Sequence, residues 1–381
     1  MKTSGKKLAT FVALIGMVAI PLAACSSGSS SSSPTTTSSS STRTTGVYGL
    51  TASYNPKAAA VNGSTDVYHC SLIDPKITQD SFVVSSEFLP GARKEVHHAI
   101  YFLIPPALIP RAQSLNAGGS GWSCFGAPLN PTGGFDGTPW LGGWAPGRGW
   151  NTTPVGTGIP IPAGSLIVMQ IHYNLLRGTA PDNSKVKLVT VPAAGSKLKP
   201  LSLQQYVAPP DLPCPTGVTG PLCDRNASIA DLVARTGPQA AEFLNGIEFI
   251  CHSDHDINAL QTQGTLVSTQ CTWPIGHTET IRTITAHMHL LGVAQKVTLI
   301  SGSTSKTLLN VTHYNFDSQI SYPISPSVVV QPGDKLVVSC TYDPTLRQRN
   351  PQLRNLPPRY VTWGDGSSDE MCLAIVGATP N

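Results

Sequence analysis

Two histidines separated by one residue follow an alternating segment of the chain. His287 and His289 come after Ile281-Arg282-Thr283-Ile284, where apolar and polar residues alternate, and this pattern predicts a β-strand over residues 279–291. Side chains of a strand alternate between its faces, so both imidazoles are expected on one side, where they can share a metal ion. Taken alone, the motif also fits two exposed histidines on a solvated face.

A sulfur donor lies far along the chain from these histidines. Met371 stands in Ser368-Asp369-Glu370-Met371-Cys372, close to the C-terminal residue Asn381. Imidazole together with thioether suits copper, above all Cu(I), and suits zinc, magnesium or calcium poorly. The residue types therefore indicate a copper site.

Two further histidine motifs lie in apolar segments that are predicted to be strands, at residues 95–104 and 165–175. Val96-His97-His98-Ala99 carries a pair, and Met169-Gln170-Ile171-His172-Tyr173-Asn174 carries one more. A buried histidine needs a ligand or a hydrogen-bond partner, because burial without one is costly. Neighbouring residues of an ideal strand point to opposite faces, so His97 and His98 can share one ion only where the strand is twisted or bulged.

The cysteine count indicates an oxidising compartment. Without Cys25, eight of the nine cysteines remain, and an even number is typical of exported proteins with disulfides. The sequence cannot choose among 105 connectivities, but the spacing suggests local bridges, with thiolate metal ligands disfavoured because Cys-X-X-Cys is absent. The predicted pairs are Cys70–Cys124, Cys214–Cys223, Cys251–Cys271 and Cys340–Cys372.

The N-terminus has the features of an exported lipoprotein. Basic residues precede an apolar run at residues 8–20, which is short for a membrane span, and Leu22-Ala23-Ala24-Cys25 resembles the bacterial lipobox. We interpret residues 1–24 as a signal peptide, Cys25 as the lipid-modified N-terminus, and the Ser/Thr-rich residues 25–45 as a flexible tether. An ordinary secretory signal with a chance cysteine is the alternative. Both predict export, and the anchored form would face the periplasm or the extracellular space.

Composition predicts an all-β protein of two domains. Charged residues make up 12% of the chain, while Gly (35) and Pro (33) are abundant, and short apolar runs are separated by turn residues. Removing the predicted signal peptide takes away three lysines and no acidic residue, so the formal net charge falls from +4 to +1. This charge gives no electrostatic case for a nucleic-acid partner, and membrane contact is expected through the lipid anchor only. The predicted domains are residues 46–201 and 202–381.

A segment of different character interrupts the second domain. Residues 209–270 are predicted to be an insertion, with two short helices separated by Gly237-Pro238 and flanked by two of the predicted disulfides. His252 and His255 lie in this insertion beside aspartates. A metal role for them stays open, but a solvated polar loop is the favoured interpretation.

Four of these motifs, in this order, resemble the copper type II, ascorbate-dependent monooxygenases. The motifs are Val96-His97-His98, Gln170-Ile171-His172-Tyr173, His287-Met288-His289-Leu290-Leu291-Gly292 and Ser367-Ser368-Asp369-Glu370-Met371-Cys372. Tyr68-X-Cys70 and Trp144-Ala145-Pro146-Gly147 look like weaker companions. The resemblance covers residues 67–378, with the insertion outside it.

The resemblance implies two jelly-roll-type β-sandwich domains and two copper ions per chain. His97, His98 and His172 would hold the copper that accepts electrons from ascorbate or another one-electron reductant, and Gln170 would make a second contact beside His172. The second copper, where O₂ is activated and a substrate C–H bond is hydroxylated, would be held by His287, His289 and Met371.

Three positions depart from the peptide-specific branch of that family. Where the branch carries an arginine, an asparagine and a tyrosine that hold the peptide, this chain has Thr285, Leu373 and Ile375. An apolar pocket cannot hold a peptide carboxylate as a guanidinium does, so a small substrate of another kind is expected. Two alternatives remain at this point: a non-catalytic copper-binding or electron-transfer lipoprotein, and an adhesion module with structural histidines.

Overall fold

The computed structural model describes most of the chain after the predicted tether. The described residues are 42–57, 66–124, 126–130, 137–146, 149–175, 178–251, 261–263 and 265–381. Ser41–Asn381 form one compact unit. The predicted signal peptide, the lipidation residue Cys25, and His252 and His255 lie outside the described residues. No helix within the described part is long and apolar enough to cross a membrane.

The first half of this unit consists of two sheets. Its strands are β1 (Thr44–Gly49), β2 (Asp66–Ile73), β3 (Ser81–Leu89), β4 (Val96–Ile104), β5 (Trp122–Ser123), β6 (Trp140–Trp144), β7 (Asn151–Thr152), β8 (Thr157–Ile161), β9 (Leu166–Asn174), β10 (Lys185–Pro192) and β11 (Lys199–Pro200). A 3-10 turn (Pro106–Leu108) leads into the short helix α1 (Ile109–Leu115). One sheet has the order β1-β10-β3-β8-β11, with β7 beside β3, and the other has the order β5-β2-β9-β4-β6.

These two sheets share one apolar core, which we call the N-terminal sandwich. The alternating pattern of β3 and β10 buries Val83, Val186 and Leu188 from one sheet. Tyr101 and Met169 enter the same core from the other sheet. β9 is buried at nearly every position, because α1 and its neighbouring loops cover the outer face of its sheet.

The second half repeats this plan with a helical segment added. Its elements are β12 (Ser202–Val207), β13 (Asp211–Leu212), α2 (Arg225–Thr236), α3 (Gln239–Cys251), β14 (Gln261–Gln263), β15 (Leu266–Pro274), β16 (Glu279–His287), β17 (Gly292–Ser301), β18 (Thr304–Val311), β19 (Ser321–Val330), β20 (Lys335–Tyr342), α4 (Leu346–Arg349), β21 (Val361–Thr362) and β22 (Leu373–Pro380). The sheets β12-β22-β16-β19 and β14-β15-β20-β17-β18 enclose the second large core and form the C-terminal sandwich. The predicted all-β sandwich class is confirmed.

The predicted insertion contains two helices, as expected. The side chain of Asp224 caps α2 by accepting a hydrogen bond from the Ala227 N–H at 2.8 Å. Gly237, with a φ of 101°, ends this helix before Pro238, and α3 begins at Gln239. The structure differs at the insertion's C-terminal end, because residues 266–270 belong to β15, a sheet strand that the sequence pattern did not predict.

All four predicted disulfides are present: Cys70–Cys124, Cys214–Cys223, Cys251–Cys271 and Cys340–Cys372. They are separated along the chain by 54, 9, 20 and 32 residues, so each closes a fairly short loop. Four disulfides are what is expected of a protein that folds in an oxidising compartment.

Strand β16 is shorter than predicted. It ends at His287 rather than at residue 291, so His289 lies in the turn that follows the strand. The physical reason is a competing acceptor. The carboxylate of Glu370 accepts the N–H groups of His289 and Leu291 at 2.8 and 2.6 Å, so these donors are unavailable to a strand ladder.

Candidate functional site

Three imidazoles converge at the edge of the N-terminal sandwich. The Nδ1 atoms of His97, His98 and His172 lie 3.1 to 3.3 Å from one another. His98 and His172 are direct partners across β4 and β9, and the register of these strands shifts between Val96 and His98. The shift is the strand irregularity that the sequence required for a histidine pair to share one ion. We call these residues the trihistidine group.

The trihistidine group fits a metal ion in spacing and in charge. Three nitrogens about 2 Å from one ion, at tetrahedral angles, lie about 3.3 Å apart. Burial lowers the pKa of His97 to about 3, with the charge of His172 adding to the effect, and burial also lowers the pKa of His98. The imidazoles of His97 and His98 are therefore neutral, which is the form that binds a metal.

Asp66 fixes the orientation of His172 and was not identified from the sequence. Its Oδ1 atom lies 2.7 Å from Nε2 of His172. Burial alone would raise the pKa of Asp66, but the hydrogen bond from His172 and its charge lower the pKa, so the carboxylate is ionised and accepts the Nε2 proton. The Nδ1 lone pair of His172 is thereby left facing the other two histidines.

His287 and His289 present Nε2, whereas the trihistidine group presents Nδ1. Nδ1 of His287 lies 2.7 Å from Oε1 of Gln319, and Nδ1 of His289 lies 3.2 Å from the carbonyl oxygen of Asp369. Both partners are acceptors, so each Nδ1 carries the proton and each Nε2 keeps its lone pair. The two rings are 5.3 Å apart and nearly perpendicular. Burial lowers the pKa of His289, which keeps this imidazole neutral too.

Glu370 connects the turn that carries His289 with the segment that carries Met371. In addition to the two N–H groups of the turn, its Oε2 atom accepts the Met371 N–H at 3.2 Å. Glu370 is fully buried, and burial raises the pKa of its carboxyl to about 8 against these three donors. This role of Glu370 was not predicted from the sequence, because the turn that carries His289 lies about 80 residues before it.

A large cavity brings the predicted residues together. His98 of the trihistidine group lines it, as do His287, His289 and Met371. The space measures about 1090 Å³, open solvent at its mouth included, and apolar and aromatic side chains form most of its wall. Gln170 also lines this cavity, and its Nε2 atom donates to the Gly126 carbonyl at 3.2 Å. Among the described contacts, Asp66 bonds to the ring of His172, and the role of Gln170 beside this histidine stays a prediction.

Two aromatic residues link the trihistidine group to the C-terminal half of the chain. The ring of Phe316 stacks on His97 at 4.7 Å and meets His289 edge-on at 6.0 Å. Tyr68 stacks on His172 at 4.2 Å, and its hydroxyl donates to the carbonyl oxygen of Asp365. Both contacts join the N-terminal sandwich to the C-terminal half of the chain.

The helices of the insertion support the segment that bears Met371. Arg235 of α2 binds Asp369 through two hydrogen bonds of 3.0 and 2.8 Å and also contacts Asp231 at 2.9 Å. Arg359 contacts the same Asp231 at 2.8 Å. From α3, Phe243 lies against Trp363 with ring centroids 5.2 Å apart.

Comparison with known proteins finds a similarity for one part of the C-terminal half. Residues 250–377 match the family model described as copper type II ascorbate-dependent monooxygenase, C-terminal domain. The match includes His287, His289 and Met371, whereas the trihistidine group lies outside the matched residues. No curated protein matches this sequence.

Solved structures add only distant similarities. A structure of allantoicase is 9% identical, with 76% of this chain and 80% of that chain covered and a TM-score of 0.19. A Paenibacillus xanthan lyase is 10% identical, with 88% and 25% covered and a TM-score of 0.19. Allantoicase from Saccharomyces cerevisiae is 9% identical, with 85% and 80% covered and a TM-score of 0.18. TM-scores this low support no inference about the fold or function of this chain. Residues 250–377 are therefore similar to the C-terminal domain of the copper type II ascorbate-dependent monooxygenases.

Proposed function

We propose that the protein is a copper-dependent monooxygenase that hydroxylates a C–H bond of a small substrate. In the overall reaction, one oxygen atom of O₂ enters the C–H bond and the other leaves as water. Two electrons and two protons are consumed, and the electrons come singly from a reductant such as ascorbate. The observation that carries the proposal is the single cavity onto which both histidine groups and Met371 open.

The two sets of candidate ligands differ in chemistry, so two copper ions per chain would have different roles. His97, His98 and His172 would hold the first ion through Nδ1, and His287 and His289 would hold the second through Nε2, together with the sulfur of Met371. Copper supplies one-electron chemistry at the first position, while the softer set with thioether favours the Cu(I) state that reacts with O₂ at the second.

The chain's own residues orient these donors. Asp66 keeps the Nε2 proton of His172, and Gln319 and the Asp369 carbonyl keep the Nδ1 protons of His287 and His289. Each acceptor fixes one tautomer and one ring orientation, which leaves the other nitrogen available as a ligand. His172 and His289 are buried, so little of either ring is exposed to solvent.

Peptide amidation is disfavoured by the walls of the cavity. Thr285, Leu373 and Ile375, which replace the peptide-holding residues of the peptide-specific branch, all line it. Among the described residues that line the cavity, a substrate carboxylate would meet no guanidinium. We also propose that the protein is exported and held to a membrane through lipid on Cys25, with the tether separating the anchor from the folded unit.

A non-catalytic copper-binding or electron-transfer lipoprotein is the second candidate. It would use the same donors but would hydroxylate nothing. Ascorbate-dependent consumption of O₂ without a hydroxylated product, across a broad substrate screen, would favour it. The size of the cavity favours the enzyme, because an electron-transfer site needs no space for a substrate.

The first test is the copper content of the mature protein and two variants. We expect two copper ions per chain in the wild type and one in each of Met371→Ala and His172→Ala, because each change removes a ligand of a different site. The Met371→Ala protein should lose the sulfur contribution to its Cu(I) X-ray absorption spectrum. His313→Ala, at an exposed histidine, is the matched control and should keep both ions. One copper or none in the wild type would contradict the two-site proposal.

A further inference from the structure

The side chains that line the large cavity indicate what kind of molecule it can bind. Its aromatic members come from four parts of the fold: Tyr68 from β2, Trp140 and Trp144 from β6, Phe243 from α3, and Trp363 from the segment after β21. None of the described residues that line it is a lysine, an arginine or a glutamate. A ligand without charge would lose little on entering such a space, whereas an anion would lose its hydration without meeting a cationic side chain among those residues.

The apolar wall comes directly up to one of the candidate copper ligands. In the pairing of β16 with β22, His287 lies opposite Leu373 and Thr285 lies opposite Ile375. Side chains opposite each other in an antiparallel pair have Cβ atoms about 4.5 to 5.5 Å apart. A molecule that reaches the His287 ring therefore contacts Leu373 at the same time.

Helix α3 supplies the part of the wall that the insertion adds. Ala240 and Phe243 are three residues apart, which places both on the helix face that lines the cavity. On the neighbouring face, Leu244 and Ile247 are buried in a cluster with Trp363 and Leu373. The position of Phe243 is thus set by packing against the residues that surround Met371.

One disulfide and one ion pair hold α3 in place. The Cys251–Cys271 disulfide joins its last residue to β15. Near the same end, Glu248 pairs with Arg225 of α2, which also contacts Asp211 at 2.7 Å. Helix α3 is therefore attached both to β15 and to α2, so the part of the wall that it supplies is preformed.

One carboxylic acid lines the cavity beside these residues. Burial raises the pKa of Asp365 to about 7, and repulsion from Asp369 adds to the rise. A carboxyl that is half protonated at neutral pH is a weak anchor for a cation. Its presence nevertheless defines the competing possibility, a substrate that carries an amine.

We propose that the molecule hydroxylated in this cavity is uncharged and largely apolar, and that Phe243 of the insertion determines its selection. This inference rests on the proposed function, because the molecule that binds is taken to be the one that reacts. The C–H bond would be held between Leu373 and the aromatic wall, next to His287, His289 and Met371. The insertion thereby serves as a substrate-selecting wall of the oxygen-activating site.

The test uses three probes with one ring and nearly the same length: propylbenzene, protonated 2-phenylethylamine and phenylacetate. Binding to the full mature chain without copper is measured by calorimetric titration. We expect propylbenzene to bind at least about tenfold more tightly than either ion, since neither ion regains its lost hydration in the cavity. Tighter binding of 2-phenylethylamine, abolished in Asp365→Asn, would overturn the proposal in favour of an amine substrate.

Variants of one helix test the role of Phe243. Phe243→Ala should weaken propylbenzene binding by about tenfold through lost apolar contact, and Phe243→Leu should weaken it less. Phe249→Ala is the matched control, because Phe249 is on the same helix and its side chain is 78% exposed. Thermal unfolding identifies any variant that fails to fold, in which case Phe243→Leu decides. Unchanged binding in a folded Phe243 variant would overturn the assignment of Phe243.

Turnover separates this inference from the proposed function. The copper-loaded protein with ascorbate and O₂ is examined for hydroxylated product from each probe by mass spectrometry. Product from propylbenzene in preference to the two ions supports the inference. Product from 2-phenylethylamine alone would overturn the substrate class but leave the monooxygenase intact. Selective binding of propylbenzene without any product would contradict the function, while the apolar selectivity of the cavity would stand as measured.

Discussion

At the scale of single residues, the two histidine groups differ in which ring nitrogen they present. The trihistidine group converges through Nδ1, whereas hydrogen bonds to Gln319 and to the Asp369 carbonyl leave Nε2 available in His287 and His289. The ring nitrogen that becomes a ligand is decided by the acceptor on the opposite side of the ring. Asp66, Gln319 and Glu370 therefore matter to the site although none of them is a proposed ligand.

Asp66→Asn tests this control of the tautomer at one residue. The amide keeps the shape of the carboxylate but loses its charge, so Nε2–H of His172 is held less strongly. We expect copper affinity at the trihistidine site to fall by about 10- to 100-fold, with the other site unchanged, as measured by competitive Cu(I) titration against a chelator. Asp74→Asn, at an exposed residue paired with Lys76, is the control and should leave both affinities as they are. An equal loss at both sites would contradict a local effect of Asp66.

At the scale of elements, the insertion supports the segment that bears Met371. Helix α2 holds Asp369 through Arg235, while Glu370 and Met371 follow directly along the chain. Asp369 is 6% exposed and Arg235 is 13% exposed, so both groups of this pair are largely desolvated. A largely buried ion pair contributes little net stability but costs much when one partner is removed.

Arg235→Gln removes one partner of that pair. It leaves the Asp369 carboxylate with Arg359 at 3.8 Å as its remaining cation. We expect the free energy of unfolding, measured in urea, to fall by about 3 kcal/mol. The Cu–S contribution of Met371 should weaken in the X-ray absorption spectrum, because the segment loses its support.

The matched control for Arg235 is a second arginine in an exposed pair. Arg349 contacts Asp343 at 2.7 Å, but its side chain is 63% exposed. Arg349→Gln should change stability by less than about 1 kcal/mol and leave the Cu–S signal intact. A destabilised Arg235→Gln protein with a normal Cu–S signal would show that α2 stabilises the fold without positioning Met371.

At the scale of the whole molecule, the two sandwiches meet at the site itself. The Tyr68 hydroxyl donates to the Asp365 carbonyl, the Ser367 hydroxyl lies 3.4 Å from Asp66, and Phe316 stacks on His97. Residues 41–381 accordingly form one compact unit, and the division of this unit into two domains stays a prediction. The cavity lies between elements of both halves, so its shape depends on how they are held together.

Tyr68→Phe tests this coupling in the calorimeter. The wild type is expected to unfold in one transition, because the contacts that join the sandwiches are lost together with their cores. The variant lacks the donor to the Asp365 carbonyl, and we expect it to be less stable by about 1 kcal/mol, still in one transition. Two separate transitions in the wild type would show that the sandwiches unfold independently, and the two-domain prediction would then be favoured.

Periodicity and spacing determined much of this protein from the sequence alone. Alternating residues predicted strands such as β3, β4, β9 and β20 to within two residues, because one face of each is buried. Gly237-Pro238 predicted the break between α2 and α3, and short spacings predicted all four disulfides. The residue types of the candidate donors, imidazole and thioether, by themselves indicate copper.

Only the tertiary structure decided how the donors are brought together. The register shift at His97, the carboxylates of Asp66 and Glu370 against distant histidines, and the wall formed by Phe243 all depend on contacts between segments 70 or more residues apart. Local sequence patterns report which face of an element is buried, but not which distant group meets that face. Register and packing between elements settle that question, and in this protein they also set which ring nitrogen each histidine of the proposed sites presents, and the apolar character of the cavity.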